Sequence, residues 1–130
     1  MKKALGKVIV AFFVCLLSFA VVSPSHAMAA PYYCYLEENQ ECVETLSYSG
    51  DLLYVNIPPS GVNLIDVTFG NYSHDYEAVV NSNIDNPIVI PPYNSERRIY
   101  QVVPASSVTF SNASPVPDTP VQIRVFGYSG

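Results

Sequence analysis

Apolar and polar positions alternate along most of the chain beyond residue 30, and no stretch there keeps a helical period. "GDLLYVNI" sets Leu53, Val55 and Ile57 on one face against Leu52, Tyr54 and Asn56 on the other. "VNLIDVTF" repeats the pattern with Ile65, Val67 and Phe69, and "VQIRVF" with Val121, Ile123 and Val125. A period of two is the mark of a half-buried strand. "CVETL", "YEAVV", "PIVI", "RIYQVV" and "SVTF" bring the expected number of strands to about eight. "PIVI" is short and bounded by proline, which places it at a sheet edge. "PPSG", "GNYSHD" and "NSNIDN" supply turn chemistry between the runs. Short strands at roughly 8–12-residue spacing predict an all-β fold, an antiparallel β-sandwich or small barrel.

The beginning of the chain follows a different rule. Lys2, Lys3 and Lys7 precede an apolar run from Val8 to Val22 that only Ser18 interrupts, and "SPSHAMAA" follows. At 15 residues, the run is shorter than the about 20 residues of a membrane span and fits the core of a secretory signal. "AMA" at Ala27–Ala29 is a small-x-small cleavage motif. Cutting after Ala29 makes Pro31 the second residue, whereas cutting after Ala30 would put proline at the scissile bond. An uncleaved anchor helix is the competing reading, and Pro24 and the small residues after it disfavour it. Cys15 lies inside the apolar run without a lipid-attachment motif. The division expected is therefore a signal peptide over 1–29, a disulfide-closed hairpin over 30–46 and a β-sandwich domain over 47–130. The short Lys-Lys start has a bacterial character, and the expected location is secreted or periplasmic.

Removing that segment changes the charge balance. All eleven carboxylates lie beyond Ala29 against three arginines, a formal charge of −8. Such a surface lacks the clustered cations that nucleic acid or an anionic membrane would need. Cys34 and Cys42 enclose "YLEENQE", and an even pair at this spacing in an exported chain is expected to form a disulfide.

Catalytic groups are scarce. Beyond the signal there is one histidine, His74, and no cysteine left over for nucleophilic chemistry. No strand-turn-helix elbow presents a serine. A small carboxylate-dependent hydrolase stays open only because eleven acids always allow some pair. For metals, "HDYE" places Asp75 and Glu77 at alternate positions of an expected strand start, where they form a candidate calcium site. Asp51 or the Asn81–Asp85 loop are candidate helpers. The competing reading is solvated carboxylates and an Asx-rich turn, since "NSNIDN" lacks the glycine and glutamate of an EF-hand. All ten tyrosines lie beyond the signal. Tyrosine combines flat apolar area with a hydroxyl, which suits protein surfaces and sugar faces. Tyr72, Tyr76, Tyr93 and Tyr100 are the candidate ligand-binding set.

"GDLLYVNIPPSGVNLIDVTFG", "HDYEAVV" and "VQIRVFGYSG" together resemble the bacterial pre-peptidase C-terminal domain. That family has a Pro-x-Gly turn between strands, an acid-x-acid segment before a strand, and a closing strand followed by Gly-Tyr-Ser. The resemblance spans about Ser47 to Gly130. It departs where Glu77 stands for the second aspartate and where Ala78 and Val79 replace Leu-Tyr. It implies a jelly-roll-like sandwich, non-catalytic, of a kind associated with secretion, with binding insoluble substrates and sometimes with calcium. The function expected is an exported binding or accessory module for a polysaccharide or another exported protein. A structural surface or pilus-type subunit is the alternative from a different class.

Overall fold

A computed structural model describes residues 29–130. The expected signal segment, apart from Ala29, lies outside the described residues. Among the described residues nine strands form two sheets: β1 (Pro31–Tyr35), β2 (Glu41–Leu46), β3 (Leu52–Asn56), β4 (Leu64–Asn71), β5 (Ala78–Ser82), β6 (Ile88–Ile90), β7 (Asn94–Gln101), β8 (Ser107–Asn112) and β9 (Val121–Tyr128). The first sheet runs β1-β3-β8-β5-β6 and the second β2-β9-β4-β7. Every pairing is antiparallel except β1 with β3. The all-β sandwich is as expected, and β6 occupies an edge as its proline-bounded sequence requires.

Alternation builds the core. Leu53, Val55, Val80, Ile90 and Phe110 point inward from the first sheet, and Ile65, Val67, Phe69, Ile123 and Val125 meet them from the second; all are fully buried. Phe110 and Phe69 touch edge to face across the layers, with ring centroids 5.4 Å apart at 72°. Each such side chain removed from water contributes roughly 1.5–3 kcal/mol.

The ninth strand is β1, and it corrects the expected hairpin. β1 pairs with β3 in the first sheet, while β2 pairs with β9 in the second. Residues 36–40 therefore form an arch between sheets, and the Cys34–Cys42 disulfide (Cα–Cα 6.2 Å) links the two layers. The arch closes on Gly127 near the end of β9, whose carbonyl accepts from Asn39 N at 2.8 Å. A Cβ at Gly127 would lie 2.5 Å from Leu36 Cδ2 and 2.9 Å from its Cγ, so glycine is what allows the arch to seat. Cys34→Ala should lower stability by ~2–3 kcal/mol through loop-closure entropy alone. Urea denaturation of the variant against the oxidised wild type checks this; an unchanged midpoint would refute it.

Candidate functional site

The aromatic residues of "GNYSHDY" and "PPYN" come together where β4 ends. Asn71, its last residue, is 2% exposed and acts as the knot. Its Nδ2 donates to the carbonyls of Tyr76 (2.8 Å), Ile90 (3.1 Å) and Pro91 (3.2 Å), and its Oδ1 accepts from Ser73 N (2.9 Å). Ser73 Oγ in turn accepts from Tyr76 N at 3.2 Å, and Tyr93 N donates to Ser73 O at 2.9 Å. The loop before β5 and the turn before β7 are thus laced into one unit. Tyr93 sits at φ 56°, a backbone state rare for bulky residues and retained where surroundings over-determine it.

This lacing fixes two rings on the rim of a shallow groove. Tyr72 lies over Gly70, its ring 3.6 Å from where a Cβ there would be, and its hydroxyl donates to Gln122 Oε1 at 3.0 Å. Tyr93 stacks on His74 with centroids 4.3 Å apart at 24°. Between them Gly70, Asn71, Tyr72, Tyr93, Asn94 and Ser95 line a depression of about 350 Å³. Tyr72 and Tyr93 are 58% and 67% exposed, so each ring keeps surface open to a ligand.

Among the described residues no ionised side chain lines the groove. The next row of the sheet, Arg124–Thr68–Arg97, carries cations, but each arginine has a carboxylate partner. Arg97 Nε donates to Asp66 Oδ1 at 2.9 Å, and Arg124 Nε stands 3.5 Å from Glu41 Oε1. The hydrogen bond from Arg97 holds the Asp66 carboxyl below the usual carboxylate range, against a smaller opposing effect of burial.

Of the four tyrosines expected to bind, Tyr72 and Tyr93 form the rim and Tyr76, 50% exposed, lies in the adjoining loop. Tyr100 stands apart. It lies on the inward register of β7 opposite buried Ile65, packs against the core, and donates its hydroxyl to Asp85 Oδ2 at 2.8 Å. Burial first, and then that hydrogen bond, push its pKa well above the ordinary phenol range. Its residue type put it with the others, and residue type does not show which face of a strand is wet. Asn94 and Ser95 follow Tyr93 into β7 and line the groove beside Gly70, whereas Gln122, which holds the Tyr72 hydroxyl, was not foreseen because it meets β4 only through cross-strand register. Tyr33 and Tyr54 form another unforeseen pair, stacked at 5.3 Å on the outer face of the first sheet. Inward-facing Cys34 was the signal that places Tyr33 and Tyr35 outward.

Asp75 and Glu77 both precede β5, which starts at Ala78, and both are exposed. The same-face alternation expected of a strand therefore does not apply to them. Among the described residues no group of three or more His, Cys, Asp or Glu side chains comes together. Asp51 is already committed, its two oxygens accepting from Ala30 N and Tyr48 N. Asp85 accepts from Tyr100, and Asn83 bridges to the Thr109 amide at 2.9 Å. Two exposed carboxylates fall well short of the six to eight oxygens of a calcium shell. The expected result of millimolar calcium is an unchanged melting temperature. A rise that disappears in the Asp75→Asn, Glu77→Gln double variant would establish a site there.

No family model matches the chain, and no curated protein matches it. Among solved structures, the chain is similar to a de novo designed double-stranded β-helix (17% identity, TM-score 0.39, covering 68% of this chain and 97% of the other). It is also similar to CBM_E1, a carbohydrate-binding module from a sugar cane soil metagenome solved with cellopentaose and gadolinium (11% identity, TM-score 0.40, 78% and 100% covered). A third likeness is to the pre-peptidase C-terminal domain of a Bacillus anthracis collagenase (12% identity, TM-score 0.30, 81% and 90% covered). The last is a domain of the kind the sequence resembles. At these identities and scores the likenesses assign no function to this chain.

Proposed function

We propose that the chain is an exported, non-catalytic binding module whose Tyr72–Tyr93 groove takes a neutral polysaccharide. The observation that carries this reading is the rim itself. Two exposed tyrosine rings flank a floor of glycine, amide and hydroxyl groups on a chain with a strong acidic excess. Sugar rings present an apolar C–H face that lies on an aromatic ring and hydroxyls that pair with amides, and the groove supplies both chemistries. An acidic or phosphorylated glycan would meet a carboxylate-rich surface and gain little from arginines already paired. A second exported protein is the competing ligand, and it would need a larger patch than this groove provides.

The test is retention on insoluble neutral glycans together with affinity electrophoresis on soluble ones. Tyr72→Ala and Tyr93→Ala should each cost ~1–3 kcal/mol of binding, a weakening of roughly 5–150-fold. Tyr100→Phe, remote from the groove, should leave binding unchanged. Equal retention of wild type and the Tyr72→Ala, Tyr93→Ala double variant would overturn the proposal.

A further inference from the structure

Asp51 is fully buried, yet among the described residues no arginine or histidine pairs with it. A buried carboxylate held only by neutral donors is costly. One of those donors is Ala30 N, 2.9 Å from Asp51 Oδ1, and it belongs to the residue that leader cleavage after Ala29 would turn into a terminus. We infer that cleavage between Ala29 and Ala30 creates an α-ammonium that Asp51 binds as a part-buried ion pair, so that processing completes the fold. In that step water splits the bond between the Ala29 carbonyl and the Ala30 nitrogen. A carboxylate is left on Ala29 and an ammonium on Ala30.

The surroundings are built to hold such a terminus. Ala30 O accepts from Leu52 N at 3.0 Å, so the first residue is already registered on β3. The other oxygen of Asp51 accepts from Tyr48 N at 3.1 Å, and its backbone joins the turn to β8 through Asp51 N to Tyr48 O and Asn112 N to Asp51 O. The Asp51 side chain thus ties the terminus to the turn over 48–51, and its backbone ties that turn to β8. A free α-amine is largely protonated at neutral pH, and its positive charge adds a direct attraction to the carboxylate beyond the hydrogen bond that the Ala30 amide already makes. Chains that keep the leader have the geometry without the charge. The inference rests on the export reading, and it is independent of the groove and its ligand.

The test exploits composition. Lysine occurs only at positions 2, 3 and 7, so a processed chain has a single primary amine, its own N-terminus. The full chain is exported, purified, sequenced at its N-terminus, and treated with N-hydroxysuccinimidyl acetate with and without urea. The expected terminus is Ala30. Acetylation in the native state should be at least roughly tenfold slower than in urea, because the amine reacts only on local opening. Acetylated, refolded protein should melt roughly 4–8 °C lower. Asp51→Asn should abolish the native-state protection. Should that variant not fold, the wild-type comparison of free and acetylated termini decides alone. A terminus elsewhere, native acetylation as fast as in urea, or equal melting of free and acetylated forms would each overturn the ion pair. Tyr72→Ala should move none of these readouts.

Discussion

Asn71→Ala is expected to abolish binding at the groove and to destabilise the fold by about 3 kcal/mol. The Asn71 side chain is buried and serves the carbonyls of Tyr76, Ile90 and Pro91 with one amide group, while its own carbonyl receives Ser73 N. An amide has two protons, so three acceptors share them. Alanine takes this partner from the buried Ile90 carbonyl and from the part-buried Tyr76 and Pro91 carbonyls and Ser73 N–H, at roughly 1–3 kcal/mol for each group that water cannot reach. Part of that loss is recovered where the loop opens to solvent, which keeps the figure near the lower end. Opening the loop releases Tyr72, Tyr76 and Tyr93 together. Stability and binding therefore fall in one variant, whereas Tyr72→Ala should lower binding alone. Urea denaturation and glycan retention on the same preparations separate the two. A loss under about 1 kcal/mol with wild-type retention would show that the groove does not depend on this knot.

How far the chain could be read in advance depended on the range of the interactions involved. The faces of β3, β4 and β9 were legible because alternation is local: Leu53, Val55, Ile65, Val67, Ile123 and Val125 are all buried. The edge position of β6 was legible from its flanking prolines. Which strands pair was not, since pairing is a long-range choice. The arch at residues 36–40 looks like a hairpin turn in sequence, and only the pairing of β1 and β2 in different sheets reveals otherwise. Tyr72 and Tyr93 were picked by residue type. Gln122 joins them because β9 lies beside β4, a fact no local pattern encodes. Asn71 was missed for the opposite reason: a lone asparagine before a loop reads as an ordinary turn former. Its value comes from burial.

Phe110→Ala should carry the largest stability loss, ~3–5 kcal/mol, because truncating a fully buried phenylalanine removes its transfer energy and leaves a cavity. Phe110 sits on β8, the middle strand of the first sheet, and meets Phe69 of β4 edge to face. The pair joins the two layers directly beneath neither sheet edge, so little main chain is free to collapse into the space. In a domain whose total stability is of order 5–15 kcal/mol, such a loss moves the unfolding transition far toward low denaturant. The denaturant slope should stay constant if only the native state is affected. Phe69→Ala should cost a similar amount, and the double variant should cost less than the sum by ~0.5–1.5 kcal/mol, the interaction of the two rings. Binding measured well below the melting temperature should persist in Phe110→Ala, since the Asn71 knot and the rim tyrosines are untouched. Strict additivity of the two truncations would mean that the rings are neighbours without coupling. Loss of binding in folded Phe110→Ala would mean that the groove is held by the core as well as by Asn71.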